Sequence, residues 1–186
     1  ISETVDNATF SVHLCMAPTS SVSFPVTSSD TTEGTVSTST LSYSTSNWNT
    51  AQTVTVYGVD DTLSDDNQAF SVTLGSVTSS DANYAGKNPD DVSVTNVDNE
   101  TASITVSALS GNTTEMGGTA TFTVVLDSQP TSDVSIAVSS SDTSEATISP
   151  SSLTFDSSNY STLQTVTVTG VDDFYDDDNV SYTISV

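Results

Sequence analysis

Acidic side chains are the one class of reactive residue that this chain holds in quantity. It has 24 Asp and Glu residues against a single Lys or Arg, and its net charge is −23. Several acids stand in short runs, such as Asp60-Asp61 and Asp65-Asp66. Carboxylate oxygens are the ligands that calcium prefers, and pairs of carboxylates also catalyse glycoside hydrolysis. A cation site and a glycosidase are therefore the two kinds of chemistry to weigh.

Other kinds of chemistry are excluded by composition. One His and one Cys cannot build a His/Cys zinc site, an internal disulfide or a persuasive catalytic triad. A chain with one basic residue cannot neutralise phosphates, so we expect no nucleic-acid partner and no docking on anionic membranes. No stretch approaches the roughly 20 apolar residues of a membrane span, so we expect no membrane insertion.

The chain repeats itself at an offset of 112 residues, without a gap. Residues 1–74 align with 113–186, and about half of the aligned positions are identical. We interpret residues 1–100 as a first repeat that lacks its first strand, and residues 101–186 as a second repeat that lacks its last. Because each repeat lacks a strand at one end, we expect either a segment of a longer tandem array or a chain whose missing strands come from neighbouring copies.

The elements that position the acids are predicted to be β-strands. Val, Ile, Leu, Phe and Tyr alternate with Thr and Ser at period two, and no useful stretch has helical periodicity. A period of this length suits one immunoglobulin-like sandwich of seven antiparallel strands, so the predicted fold is all-β, with two sandwiches in tandem. The predicted strands, one taken from the first repeat, are 102–108, 119–126, 133–139, 145–149, 162–169, 179–186 and 91–97.

In an up-and-down sandwich, alternate loops emerge at the same end. Counting strands on this basis places most acids of each repeat at one end, where one repeat meets the next. The first repeat contributes Glu3, Asp30, Glu33, Asp60, Asp61, Asp65, Asp66, Asp98 and Glu100. The second contributes Glu115, Asp142, Glu145, Asp172, Asp173, Asp176, Asp177 and Asp178.

Carboxylates that converge in this way repel one another unless a cation lies between them. Calcium accepts six to eight oxygen ligands and tolerates a flexible site built from several loops, whereas magnesium requires a tight octahedron. The alternative is that the acids only keep the loops soluble. Segregation to one end, in both copies, favours calcium.

The chain resembles Calx-β-type repeats of large microbial surface and secreted proteins. The resemblance is carried by Thr114–Phe122, by Leu153-Thr154-Phe155, by Thr165–Asp173 and by the closing run Val94–Glu100. In that family calcium lies between the loops after the first, third and fifth strands and the tail of the last strand. The resemblance implies these ligands in the first repeat: Glu3, Asp30, Glu33, Asp60, Asp61 and Asp98. Glu100, at the end of the closing acidic run, is a further predicted ligand. It implies these counterparts in the second: Glu115, Asp142, Glu145, Asp172 and Asp173.

Together these patterns predict a spacer segment of an extracellular or cell-surface repeat protein, stiffened by calcium at the junctions between repeats. Its expected partners are neighbouring repeats or copies of itself. Two alternatives stay open: an adhesin-type module that binds glycans or a partner surface, and a subunit of a filament completed by strand exchange. We do not expect an enzyme, because the acids gather at a repeating junction rather than in one cleft.

Carbohydrate could also be attached to the chain or bound by it. The number of N-glycosylation sequons is about what this composition gives by chance, so glycosylation stays open. Trp48 and Tyr160 occupy equivalent positions of the two copies. Packing against a core or an edge is the favoured interpretation for both, ahead of sugar stacking.

Overall fold

A computed structural model describes residues 1–4, 6–172 and 178–186 of the chain. Within these ranges every regular element is a β-strand, and the strands pair antiparallel. The prediction of an all-β, antiparallel fold is therefore confirmed. Among the described residues, no helix has the length and apolar character needed to cross a membrane.

The chain divides into two compact units. The first unit comprises Ile1–Asp61 and Asp65–Asn99, and the second comprises Thr62–Ser64 and Glu100–Val186. The strands of the first unit are β1 (Asn7–Val12), β2 (Val22–Ser28), β3 (Gly34–Val36), β4 (Thr40–Tyr43), β5 (Gln52–Gly58), β6 (Gln68–Leu74), β7 (Thr78–Ser79) and β8 (Val92–Asn96). Those of the second are β9 (Ile104–Val106), β10 (Thr119–Leu126), β11 (Val134–Ala137), β12 (Ser139–Ser140), β13 (Ala146–Ser149), β14 (Ser152–Phe155), β15 (Gln164–Gly170) and β16 (Ile184–Ser185).

The first unit packs two sheets over one core. One sheet has the order β1-β5-β3, and the other has the order β4-β2-β6-β8, with β7 also paired to β2. Val54 and Val56 come from the first sheet and Phe24, Tyr43 and Val72 from the second, and all five are at most 2% exposed. Because side chains of a strand alternate between its two faces, the period-two pattern of Val and Phe puts one face of each sheet into this sandwich-like core.

The second unit repeats much of this arrangement. Its larger sheet has the order β13-β15-β10-β9. The unit also contains two two-stranded sheets, β11-β14 and β12-β16. Strand β10 alternates between the core and its other face, with Ala120, Phe122, Val124 and Leu126 buried. Tyr160 packs against this core, as Trp48 packs against the first, which confirms the predicted packing of these aromatic residues.

Paired residues in the first unit correspond, residue by residue, to paired residues in the second unit. Asn7 lies opposite Tyr57, and Thr119 lies opposite Thr169 at the same offset of 112. The strand pairs β2-β4 and β11-β14 likewise match, as do β3-β5 and β13-β15. Two copies of one sequence have therefore adopted the same pairing.

Two features differ from the predicted strands. Strands β4 and β14 were not among them, because Leu41-Ser42-Tyr43 and Leu153-Thr154-Phe155 are too short to stand out by alternation alone. The predicted strand 179–186 appears in the described residues only as Ile184–Ser185. Its counterpart in the first unit, β6, has seven residues and pairs with β8.

Candidate metal centre

Four segments of the first unit bring acids to one end of its sandwich. Glu3 lies ahead of β1, and Glu33 directly precedes β3. Asp61 and Asp65 lie in the connection between β5 and β6, and Asp98 follows β8. The strands fix these positions because β3 pairs with β5 and β8 pairs with β6, so that the ends carrying the acids are adjacent.

Glu33, Asp61 and Asp65 form one group, which we call the Glu33 cluster. One carboxylate oxygen from each lies within 4.8 Å of the others. Glu33 is only 8% exposed. The Oδ1 atom of Asp65 is buried and finds no hydrogen-bond partner among the described residues. Three carboxylates are thus held together with part of their hydration removed.

Glu3 and Asp98 form a second group, the Glu3–Asp98 pair, whose carboxylate oxygens also lie within 4.8 Å of each other. Glu3 is 4% exposed. Its backbone N–H donates to the carbonyl of Val97 at 3.2 Å, and its Oε2 accepts from the backbone N–H of Asn99 at 3.2 Å. These bonds hold the segment ahead of β1 against the segment that follows β8.

Asn96, the last residue of β8, lies between the two groups and is fully buried. Its Nδ2 donates to Glu33 Oε2 at 3.3 Å and to the Val59 carbonyl at 3.0 Å, with a longer contact to Glu3 Oε1 at 3.5 Å. Its Oδ1 has no hydrogen-bond partner in the described part of the chain. Buried amide oxygens are normally satisfied, so this orphaned oxygen, on an amide that contacts Glu3 and Glu33, calls for an explanation.

The lack of a side chain at Gly58 allows the Ser2 backbone and the Asn96 side chain to lie close to this residue. A Cβ atom there would lie 2.1 Å from the Ser2 carbonyl oxygen and 2.9 Å from Asn96 Oδ1. Gly170, its counterpart, is equally close to the backbone of Thr114. The repeated sequence Gly-Val-Asp-Asp therefore places its acids directly after a point where only glycine fits.

Burial sets the electrostatics of the Glu33 cluster. Loss of solvation raises the pKa of Glu33, and the charges of Asp65, Asp30 and Asp61 add to the increase, while the hydrogen bond from Asn96 opposes it. Like charges about 4 Å apart repel by about 1 kcal/mol in water and about 4 kcal/mol where a protein surface screens them less. The only Lys or Arg, Lys87, lies in the connection between β7 and β8, on a different segment from these acids.

A hard cation matches the donor set of both groups. All the acidic side chains that converge here offer oxygen, and the orphaned oxygens of Asp65 and Asn96 are acceptors for which the described residues supply no donor. Oxygen-only, multi-loop coordination is typical of calcium. Residues Glu3, Glu33, Asp61, Asp65 and Asp98 could therefore hold such an ion.

Four of the ligands that the resemblance implies in the first unit belong to these groups: Glu3, Glu33, Asp61 and Asp98. Asp30 lies outside both groups, where its Oδ1 accepts hydrogen bonds from Thr32 N at 3.0 Å and Thr32 Oγ1 at 2.6 Å. Asp60 also lies outside, and its Oδ1 accepts from Asn99 Nδ2 at 3.1 Å. Both remain predicted ligands that the described geometry does not bring into a group.

Asp65 and Asn96 belong to the site but not to the predicted ligand set. Asp65 had been placed at the correct end by counting strands. The sequence does contain an indication of the role of Asn96. This residue continues the alternation of Val92 and Val94, so its side chain is expected to face the core. An amide at a core-facing position of a strand end indicates a buried polar partner.

The structure describes only some of the counterparts in the second unit. Glu115 and Asp172 are exposed, whereas Asp142 and Glu145 are half-buried. Glu100, the last residue of the predicted first repeat, is also half-buried. Asp142 accepts from Ser144 as Asp30 does from Thr32, and the Glu145 carbonyl accepts from Val171 as the Glu33 carbonyl does from Val59. The predicted ligand Asp173 lies outside the described residues, as do Asp176 and Asp177. Within residues 101–172 and 178–186 no three acids form a group of this kind.

Comparison with known proteins gives no relative: no protein-family model matches the chain, and no curated protein matches it significantly. What the site does must therefore be inferred from its own chemistry.

Proposed function

We propose that this chain is a spacer segment of an extracellular or cell-surface protein, built from tandem immunoglobulin-like sandwiches of the Calx-β type, and that its first unit binds calcium. The Glu33 cluster and the Glu3–Asp98 pair would supply the ligands. The high negative charge and the near-absence of basic residues agree with such a role.

One observation carries the proposal: among the described residues, Asp65 Oδ1 is buried without a hydrogen-bond partner in a group of three carboxylates, and so is Oδ1 of Asn96, whose amide donates to Glu33 of that group. Folding that brings these oxygens together without a donor is unfavourable, since each buried and unsatisfied polar group costs about 1 to 3 kcal/mol. A calcium ion would compensate several of them at once.

Calcium at the Glu3–Asp98 pair would also explain a mechanical role. Asp98 follows β8 directly, and the second unit begins two residues later, at Glu100. An ion that ties Asp98 to Glu3 would fix the direction in which the chain leaves the first sandwich. We expect the acids Glu115, Asp142, Glu145, Asp172 and Asp173 to extend this role to the second repeat.

A thermal unfolding experiment tests the proposal. Trp48 is the only tryptophan and packs against the core of the first unit, so its fluorescence reports that unit selectively. Calcium at ten times its Kd should stabilise the unit by about 1.4 kcal/mol relative to chelator, because the ion binds the folded state alone. Extracellular calcium modules often have a Kd of about 0.1 to 1 mM, so the titration must reach millimolar calcium.

Matched variants locate the ion. The double variant Glu33→Gln/Asp65→Asn should lose the calcium-induced shift, whereas Asp90→Asn, which removes an exposed acid from the connection between β7 and β8, should keep it. An equal shift in magnesium, or a shift that survives in the double variant, would contradict a calcium site at the Glu33 cluster.

A further inference from the structure

Asn96 contacts acids of both groups in the first unit, yet only one side of its amide is engaged. The Nδ2 side faces Glu33 Oε2 at 3.3 Å, Glu3 Oε1 at 3.5 Å and the Val59 carbonyl oxygen at 3.0 Å. The Oδ1 side is buried and receives no hydrogen bond from the described residues. The donor of this amide is therefore fully used, while its acceptor is not satisfied.

The Oδ1 atom faces a second acceptor. A Cβ atom on Gly58 would lie 2.9 Å from Asn96 Oδ1 and 2.1 Å from the Ser2 carbonyl oxygen, so both oxygens border the same small space. Two acceptors gain nothing from each other unless one of them is replaced by a donor. The present orientation of the amide thus suits the acids on one side and leaves two oxygens facing each other on the opposite side.

We propose that the Asn96 amide is a two-position switch within the calcium site. Without calcium, Nδ2 faces the acids. When calcium binds, the amide turns over, so that Oδ1 becomes a ligand of the ion and Nδ2 donates to the Ser2 carbonyl. This inference rests on the proposed function, because it gives Asn96 a role in that same site. Turning a terminal amide about χ2 exchanges two groups of nearly equal size, so the backbone need not move.

Electrostatics favours a different orientation in each state. The hydrogens of Nδ2 carry partial positive charge, and without an ion they offset the repulsion between Glu3 and Glu33. A dication among the same carboxylates repels those hydrogens and attracts the amide oxygen. An ion shifts a conformational equilibrium only as far as it interacts differently with the two states, and here that interaction changes sign.

The spacing of the surrounding oxygens also suits the inverted amide. Oδ1 would take the place of Nδ2, which lies between 3.0 and 3.5 Å from oxygens of Val59, Glu33 and Glu3. Two oxygens that bind one calcium ion at about 2.3 to 2.6 Å, at right angles, are about 3.3 to 3.7 Å apart. Calcium accepts amide and backbone carbonyl oxygens as well as carboxylates. Asn96 Oδ1 and the Val59 carbonyl would therefore join the acidic ligands.

NMR spectroscopy of the complete chain tests the inversion directly. The side-chain amide signals of Asn96 are identified by their loss in the variant Asn96→Asp. In chelator, we expect nuclear Overhauser contacts from the Nδ2 hydrogens to Val59 and Glu33. In saturating calcium, these contacts should be replaced by contacts to the Hα atoms of Gly58 and Ser2.

The variant Asn96→Asp gives a second readout, because it has an oxygen on both sides and no donor. In chelator, its first unit should unfold at a lower temperature than that of the original chain, as measured by Trp48 fluorescence. By calorimetry, it should bind calcium about ten-fold more tightly or better, since ligand charge sets calcium affinity. If it is unfolded in chelator, it should refold when calcium is added.

Asn88→Asp is the matched control, since it adds the same charge at an exposed position between β7 and β8. It should leave both the unfolding temperature and the calcium affinity nearly unchanged. Calcium binding by Asn96→Asp that is no tighter than that of this control would contradict a ligand role for position 96.

The outcomes separate the switch from the proposed function. Nδ2 contacts that stay with Val59 and Glu33, at calcium concentrations that saturate the stability shift, would refute the switch and leave the calcium site standing. If calcium changes neither the unfolding of the original chain nor its amide signals, the proposed function fails and the switch fails with it.

Discussion

The two units share strand registers and most of their acids, yet only the first brings three acids of its own together in the described residues. Asp173 and Asp177, the counterparts of Asp61 and Asp65, lie outside the described residues, so the difference that the described residues allow to be compared is β8. This strand closes the sheet at β6, and it also delivers Asn96 and Asp98 to the acidic end. In the second unit, the described residues include no such strand beside β16, and Glu115 is exposed where Glu3 is buried.

Closure of the sheet and assembly of the acidic site are therefore one event in physical terms. Hydrogen bonds along β6 and β8 offset the cost of gathering carboxylates around a buried amide.

The largest expected effect comes from Asn96, which distinguishes the two units most clearly. Asn96→Leu keeps the branching at Cγ but removes the donor shared by Glu33, Glu3 and the Val59 carbonyl. We expect it to destabilise the first unit by about 1 to 3 kcal/mol, because buried carboxylates lose their partner. Denaturant unfolding followed by Trp48 fluorescence measures this.

Asn83→Leu, at an exposed turn position of the same unit, is the matched control and should change stability little. If both variants unfold alike, the amide of Asn96 is not what holds the acidic end together.

The sequence alone predicts many of the strands that the two units share and the end of the sandwich at which the acids lie. Period-two alternation and the offset of 112 predict the strands that form the pairs β1-β5 and β10-β15, because both signals repeat over many residues. Counting strands placed Glu3, Glu33, Asp61 and Asp98 at one end. It could not decide which acids converge, because that depends on side-chain direction and on turns such as the one in which Thr32 binds Asp30.

A medium effect is expected from the pH dependence of Glu33. Burial raises the pKa of Glu33 above its ordinary value of 4.5, so the folded state binds a proton more readily than the unfolded state. In chelator, this carboxyl therefore reduces stability at neutral pH, and the penalty is relieved as the pH falls through its raised pKa towards 4.5.

Glu33→Gln should accordingly be more stable than the original chain at neutral pH without calcium, and the advantage should shrink as the pH is lowered. Unfolding curves at several pH values, read from Trp48, give the difference. An advantage that is independent of pH would mean that Glu33 carries no burial penalty. In calcium the order should reverse, because the variant loses a ligand.

The smallest effects are expected at Asp30 and Asp142, where the two units are alike. In each, hydrogen bonds from a hydroxyl and a backbone N–H two residues later lower the pKa of the aspartate, the partners being Thr32 and Ser144. A lowered pKa means that the carboxylate stabilises the fold above its ordinary value of 3.8 and that this contribution is lost as the pH falls through the lowered pKa. Asp30→Ala and Asp142→Ala should each cause a small loss of stability at neutral pH, which disappears in acid.

These two variants also sharpen the ligand set. Because Asp30 lies outside the Glu33 cluster and its Oδ1 is engaged by Thr32, Asp30→Ala should keep the calcium-induced shift of Trp48 unfolding. Asp142→Ala, in the other unit, sets the baseline for that shift. A reduced shift in Asp30→Ala alone would show that Asp30 turns away from Thr32 to bind the ion. The ligand set implied by the Calx-β resemblance would then describe the site better than the Glu33 cluster does.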